Sequence, residues 1–371
     1  MTGGLAAVVD GGTVAALAEL TPPGGGGELT LRRSWPRGVD HLLLEYVDGT
    51  GSAIAGQWHA DRVRGGAVAA GTPGATWLED RGVVLQPLGA DRRLRALAGM
   101  VAEPGATLIV HRPERRAVVR RTVGRTTYAK VVRPTKVAAL VAADGLARAT
   151  TVPVPELVMV DPGEGIVEWA ELPGRSLHDL LCDEAVPLGV VTTAAAAAGH
   201  ALRAMHSAPV SEPARHHTPA DEVANMARWV EPVGVLASTL PGIERALDAA
   251  VALLSEPASA PVLVHRDLHD KQILVEVDEA GMIDVDTLAK GEAAVDLANL
   301  LVHLELRAAL GVAPSRTEAA AESFLDAYRP SADVRARIGA YAAATRVRLA
   351  CVYAFRPAQA VAAAQLLAGP P

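Results

Sequence analysis

Apolar residues alternate with polar ones, or gather in short β-favouring runs, at 28–33 (ELTLRR), 41–47 (HLLLEYV), 53–59 (AIAGQWH) and 82–88 (GVVLQPL). These runs predict strands. Leu94, Leu97, Met100 and Val101 recur at helical spacing and predict a helix over 91–103. Residues 1–105 therefore read as a small α/β unit, and no motif in it carries recognisable chemistry. From 106 the pattern sharpens into strands at 107–112, 116–121 and 127–133, a helix at 135–149, and strands at 156–160 and 165–172. Five strands with a helix after the third predict a small antiparallel sheet over 106–172. Beyond it, 191–208, 221–256, 292–310, 315–328 and 332–367 have helical spacing and helix-favouring composition. Within this helical half, 173–371, two short β runs surround a polar loop at 262–288. The expected architecture is α+β and bilobal: an extra N-terminal unit, a β-rich lobe, a helical lobe, and a cleft where the lobes meet.

Composition narrows the classes. The 371 residues are 50% hydrophobic but only 3% aromatic, so the core must be built from Ala, Val and Leu. A net charge of −7 argues against a general nucleic-acid binder. Cys182 and Cys351 stand apart, without metal-ligand spacing or a disulfide framework. No apolar stretch approaches the length of a membrane span, and a cytoplasmic protein is expected. The TPPGGGG segment at 21–27 predicts a flexible loop.

The chemistry concentrates at 264–300, VHRDLHDKQILVEVDEAGMIDVDTLAKGEAAVDLANL. Asp267, Gln272, Asp284 and Asp296 occur there in the order that phosphoryl transfer requires. One carboxylate accepts the proton of an attacking hydroxyl, while a carboxamide and a second carboxylate hold magnesium on the phosphates. Asp267 is the candidate base. Asp284, at the end of the apolar run MID, is the candidate magnesium ligand with Gln272. Asp286 stands equally as a further ligand, if the strand continues and both acids point one way, and as the turn residue opening 286–291. Lys130, inside the apolar strand TYAKVVR, is read as the ammonium that neutralises nucleotide phosphates, against the alternative of a solvent-facing lysine. His200, His206, His216, His217 and His303 lack metal spacing and read as structural.

The set resembles the aminoglycoside phosphotransferase and choline kinase-like superfamily, with its protein-kinase-like fold. His265, Asp267, His269 and Gln272 match that family's first motif, Ile283 and Asp284 the second, and Asp296, Leu297 and Ala298 the third. AGHALRAMHSAPV (198–210) and ELPGRSLHDLL (171–181) are similar to the helix before the substrate-binding helices and to the hinge. The resemblance implies ATP and Mg as cofactors, Asp267 as base, Gln272 and Asp284 on the metal, Lys130 on phosphate, and Ala170, Glu171 and Leu172 meeting adenine through their backbone. It implies a small polar hydroxyl-bearing substrate such as a sugar, amino sugar or aminoglycoside. Gln272, Asp286 and the added N-terminal unit are similar to the capped maltokinase and glucosamine kinase subgroup.

Four positions depart from the family. Arg266 stands where Gly is usual, and Gln272 where Asn is. The turn expected over the phosphates, 112–115, is not glycine-rich and offers cationic groups instead. The helix after Lys130 holds one acid, Asp144, where the family has a glutamate that orients the lysine. The missing helix glutamate and the unusual phosphate loop motivate an alternative from another class, a nucleotide-binding pseudokinase or regulatory protein without turnover, which the retained Asp267, Gln272 and Asp284 oppose.

Overall fold

The computed structural model describes residues 17–22, 27–209, 215–234, 240–256 and 259–368. Residues 23–26, in the segment expected to be a flexible loop, lie outside them.

The N-terminal unit is a six-stranded antiparallel sheet. It contains β1 (Glu19–Leu20), β2 (Leu29–Pro36), β3 (His41–Val47), β4 (Ala53–His59), β5 (Thr76–Leu78) and β6 (Val83–Gln86), in the order β1-β2-β3-β4-β6-β5. The helix α1 (Arg62–Ala70), capped by Asp61, joins β4 to β5. Neither α1 nor β5 is expected from the sequence, because the GG pair in α1 and the short TWL run leave no clear periodicity. The helix expected over 91–103 shrinks to α2 (Leu97–Val101), since the Asp91 carboxylate holds Arg93 and Leu94 in a turn through their amides.

The second sheet is antiparallel, in the order β10-β11-β9-β8-β7. Its strands are β7 (Ala106–Arg112), β8 (Arg116–Arg121), β9 (Thr127–Val132), β10 (Leu157–Asp161) and β11 (Ile166–Ala170), with α3 (Val137–Arg148) inserted after the third, as the sequence predicts. Opposed residues of an antiparallel pair share a face. Ala117, Val119, Ala129 and Val131 face outward and are covered by Leu97 and Met100 of α2. The register pairs Arg112 with Arg116 and Val118 with Lys130, so those side chains occupy the opposite face, toward the cleft.

The helical half comprises α4 (Leu177–Cys182), α5 (Leu188–Ser207), α6 (Pro219–Val233), α7 (Ile243–Leu254), α8 (Ala294–Ala309), α9 (Pro314–Tyr328), α10 (Ala332–Ala354) and α11 (Ala360–Ala368). Small residues let these helices pack closely: a Cβ on Gly199 of α5 would overlap the Phe324 carbonyl of α9. A full capping box, Thr218 with Asp221, starts α6. Where two short β runs are expected, there are four strands besides β12 (Arg175–Ser176): β13 (Pro261–Val264), β14 (Ile273–Glu276), β15 (Glu279–Met282) and β16 (Ala289–Glu292). They pair as β13-β16 and β12-β14-β15 around the polar loop.

The N-terminal sheet does not stand apart. Leu42, Leu44, Tyr46 and Trp58 belong to one apolar cluster with Val347, Tyr353 and Phe355 at the end of α10. The Ser34 amide donates to the Phe355 carbonyl at 2.9 Å. Among the described residues no helix is long and apolar enough to cross a membrane.

Candidate active site

The loop from β13 to β14 is held by one buried carboxylate. Asp296, in the first turn of α8, accepts the amides of His265 and Arg266, each at 2.6 Å, and a ring nitrogen of His206 at 3.0 Å. Burial pushes the Asp296 carboxyl up, but His206 and these donors outweigh burial and hold it below the usual carboxylate range. Asn299, one turn along α8, donates to the Arg266 carbonyl at 2.8 Å, and Thr287 donates to the His265 carbonyl at 2.6 Å. Arg266 is thereby fixed at φ +72°, a left-handed conformation that costs an L-residue energy and explains why glycine suits this position.

Asp267 follows at the loop's tip. Its side chain is 47% exposed, and its nearest cation is Arg348 of α10, at 3.8 Å. Behind it, Asp270 is fully buried and receives a two-pronged contact from Arg307 at 2.6 and 3.0 Å and a ring nitrogen of His178 at 2.8 Å. Burial raises the Asp270 carboxyl, but these partners overcome it and hold it far below its ordinary value. His269 accepts the Lys271 amide at 3.2 Å and packs its ring on His303, 4.8 Å away. It orders the loop, and burial lowers its pKa.

Gln272 is 4% exposed. Its backbone is engaged on both sides, by the His269 carbonyl and the Ile283 amide, yet its side-chain oxygen is buried without a donor. Buried polar atoms are seldom left so. Such an oxygen, close in the fold to Asp284, suits a hard cation.

The strand β15 ends at Met282, so Asp284 and Asp286 do not share a strand face as the sequence suggests. Asp284 sits at φ +59° and opens a tight turn over Val285–Thr287. The turn still delivers both carboxylates to one ammonium: Lys130 Nζ lies 2.7 Å from Asp284 and in contact with Asp286. Lys130 is 8% exposed and faces the cleft, not solvent. Burial would lower its pKa, but the two aspartates raise it. Burial also works against Asp284, yet Lys130 and Arg116 hold that carboxyl well below its ordinary range. Asp286 is raised, by burial and then by Asp284's charge, because two acids share one lysine.

Asp144 is therefore not the partner of Lys130. It accepts Trp169 Nε1 at 2.8 Å and pairs with Arg148 at 2.6 Å, one turn along its own helix.

The three backbone positions expected to meet adenine differ from one another. The amides of Ala170 and Glu171 are engaged by the carbonyls of Glu156 and Thr126, at 2.8 and 3.0 Å. Among the described residues the Leu172 amide has no acceptor.

Arg112 and Arg116 stand at the near ends of β7 and β8, beside Lys130 on the cleft face. Both have a buried Nε without a hydrogen bond. Among the described residues neither pairs with an acid. Burial, then Arg116 and Arg33, pull the Arg112 guanidinium down to about 9, against the opposing charges of Asp267 and Asp284. The turn between the two strands is pinned from the N-terminal unit. Asp91 accepts the Glu114 amide at 2.7 Å and a His111 ring nitrogen at 2.9 Å. The Glu114 carboxylate is gripped by Arg92 at 2.6 Å and Arg93 at 2.9 Å.

Sequence reasoning missed Arg307, Arg348, Asn299 and Asp91. The groups that tie them to the site, Asp270, Asp267, the Arg266 carbonyl and Glu114, lie far away in sequence, and no local pattern signalled them. Among the described residues no group of three or more His, Cys, Asp and Glu side chains gathers to hold a metal. The two carboxylates and one carboxamide suit magnesium, which takes few protein ligands and keeps water and phosphate oxygens.

Comparison with known proteins agrees in kind. The model of the phosphotransferase enzyme family matches residues 105–357. No curated protein matches significantly. Among solved structures, an aminoglycoside-3'-phosphotransferase of type VIII is 21% identical, with a TM-score of 0.50 over 68% of this chain and 96% of that one. A macrolide 2'-phosphotransferase of type I is 20% identical, with a TM-score of 0.50 over 75% and 97%. An amicoumacin kinase in complex with AMP-PNP, Ca2+ and Ami is 14% identical, with a TM-score of 0.52 over 72% and 90%.

Proposed function

The chain belongs to the phosphotransferase enzyme family, and from that premise we propose that it transfers the γ-phosphoryl group of ATP to a hydroxyl of a sugar, amino sugar, aminoglycoside or similar polar molecule. The observation that carries this reading is the convergence, in one cleft, of Lys130, Asp284, Asp286 and the donorless Gln272 oxygen.

In this proposal Asp267 accepts the proton of the acceptor hydroxyl as its oxygen bonds to the γ-phosphorus and the bond to the β-phosphate oxygen breaks. Partial exposure suits a group that must meet an incoming substrate, and Asp296 fixes its approach by clamping the two preceding amides. Gln272 and Asp284 would hold magnesium, with Asp286 as a further ligand. Bound magnesium would neutralise charge on the β- and γ-phosphates. Lys130 serves the phosphates, and Arg112 and Arg116 add fixed positive charge where a glycine-rich loop would offer amides. The Leu172 amide is the hinge donor to adenine, beside Ala170 and Glu171. The missing helix glutamate no longer favours a protein without turnover, since Asp284 and Asp286 hold Lys130 directly.

The test is ADP release with Mg-ATP across a panel of sugars, amino sugars and aminoglycosides. Asp267→Asn should lower kcat on the best acceptor by about 10²–10⁴ while keeping stabilisation by Mg-ATP. Asp284→Asn should lose that stabilisation. A chain stabilised by Mg-ATP that releases ADP with no acceptor overturns the proposal.

A further inference from the structure

A second concavity lies on the other side of the hairpin turn. Its volume is about 240 Å³, and its walls come from the N-terminal sheet, the turn and the end of β9. Arg37, Arg64, Arg93, Arg115 and Arg133 line it, with His41, and Glu114 is its one acidic wall residue. That glutamate is already engaged by Arg92 and Arg93, and Arg64 has Asp40 at 3.7 Å. Among the described residues Arg37, Arg115 and Arg133 have no acidic partner, and Arg133 Nε is buried without a hydrogen bond.

Like charges converging without a counter-ion repel one another, and the chain as a whole is acidic, at −7. Burial lowers the pKa of Arg37, as do Arg228 of α6 and Arg133, so the helical half adds positive charge on a further side. Burial lowers Arg115 too, with Arg37 and Arg133. His41 adds no charge at neutral pH: burial brings it down to about 4, and its Nε2 meets Gln57 at 3.1 Å. Guanidinium groups arranged in this way match the oxygens of a phosphate or carboxylate.

We propose that this concavity binds an anionic group, a phosphate or carboxylate, carried on a small molecule or free. The group has two possible sources, an anionic acceptor substrate or a free inorganic anion. The hairpin that walls the concavity also carries Arg112 and Arg116 over Asp267 and Asp284, so an occupant rests on an element of the transfer site. Anion binding itself does not depend on the phosphotransfer reading, because it is measured without turnover; naming an organic occupant as the acceptor rests on that reading.

The experiment is calorimetric titration of the full chain, saturated with Mg-AMP-PNP to fill the nucleotide site. The probes are inorganic phosphate, glucose 6-phosphate and glucose. Saturable binding of both phosphates and not of glucose is expected. Arg37→Ala with Arg115→Ala should weaken it at least tenfold, and Arg37→Lys with Arg115→Lys, which keep the charge without the fork, should restore only part of it. Both positions are exposed, so unchanged melting of the free variants will show that folding is intact. Glucose 6-phosphate binding much tighter than inorganic phosphate identifies an anion carried on a polar molecule, the form an acceptor would take, and equal affinity identifies a free anion. Three results overturn the proposal: no saturable binding up to about 10 mM, binding seen in a parallel titration without Mg-AMP-PNP but lost with it, or binding undiminished in the alanine pair.

Discussion

The loop carrying Asp267 and the hairpin carrying Arg112 and Arg116 face each other across the cleft, and the same device holds both. In each, one buried carboxylate accepts backbone amides at the turn: Asp296 for His265 and Arg266, Asp91 for Glu114. In each, a non-glycine residue is thereby held at positive φ, +72° at Arg266 and +60° at Glu114. The difference is where the clamp comes from. Asp296 belongs to the helical half and to the family's own motif. Asp91 belongs to the N-terminal unit, outside the matched 105–357. A glycine-rich loop covers phosphates by closing on them, whereas this hairpin presents fixed side chains and is held from outside the lobe it belongs to. The N-terminal unit is thus part of the cleft's architecture as well as an addition to it.

Removing the two clamps should separate their roles. Asp296→Ala leaves His206 and two amides without an acceptor in a dry site, and should destabilise the chain by about 3–5 kcal/mol in urea unfolding. Because the folded-state pKa of Asp296 is depressed, its contribution is fully present above the unfolded carboxylate value, about 3.9, and is lost as pH falls through the folded value. Stability measured from pH 7 to 5 should not report it, and below about pH 4 the wild type should lose more than Asp296→Asn does. Equal acid sensitivity would mean that the carboxylate is not the clamp.

Asp91→Ala should cost less, about 2–3 kcal/mol, because the hairpin keeps its ladder to β9 when the turn is freed. Its signature is kinetic. KM for ATP should rise several-fold while kcat with saturating ATP stays near wild type, since Asp267 and the carboxylates near Lys130 are untouched. A fall in kcat with KM unchanged would contradict the assignment of the hairpin to the phosphates.

The same contrast governs what the sequence disclosed. The five-stranded sheet and the order Asp267, Gln272, Asp284, Asp296 were legible because strand periodicity and motif spacing are local. Lys130's partners were not, because they depend on a tight turn after Met282 that brings Asp284 and Asp286 back toward β9. The role of 1–105 was illegible for a related reason. Asp91 looks like any turn aspartate until β7 and β8 bring Glu114 to it. The helix expected at 91–103 was cut short by that same side chain, whose bonds to the Arg93 and Leu94 amides win over apolar spacing.

The smallest effect is the most direct test of the shared device. Arg266→Gly and Arg266→Ala both remove the guanidinium, so their difference isolates the backbone. If Asp296 and Asn299 lock position 266 in the left-handed region, glycine should be more stable than alanine there by about 1 kcal/mol, against the usual order in which glycine is the weaker residue. Urea unfolding of the two variants measures this. The same pair at Glu114, read against a background in which Arg92 and Arg93 have lost their partner in both, should show the same sign, because Asp91 holds the Glu114 amide as Asp296 holds that of Arg266. Glycine favoured at 266 but not at 114 would mean that the hairpin relaxes once its side-chain grip is gone. Arg112 and Arg116 would then be placed by the Glu114 carboxylate and not by the backbone clamp.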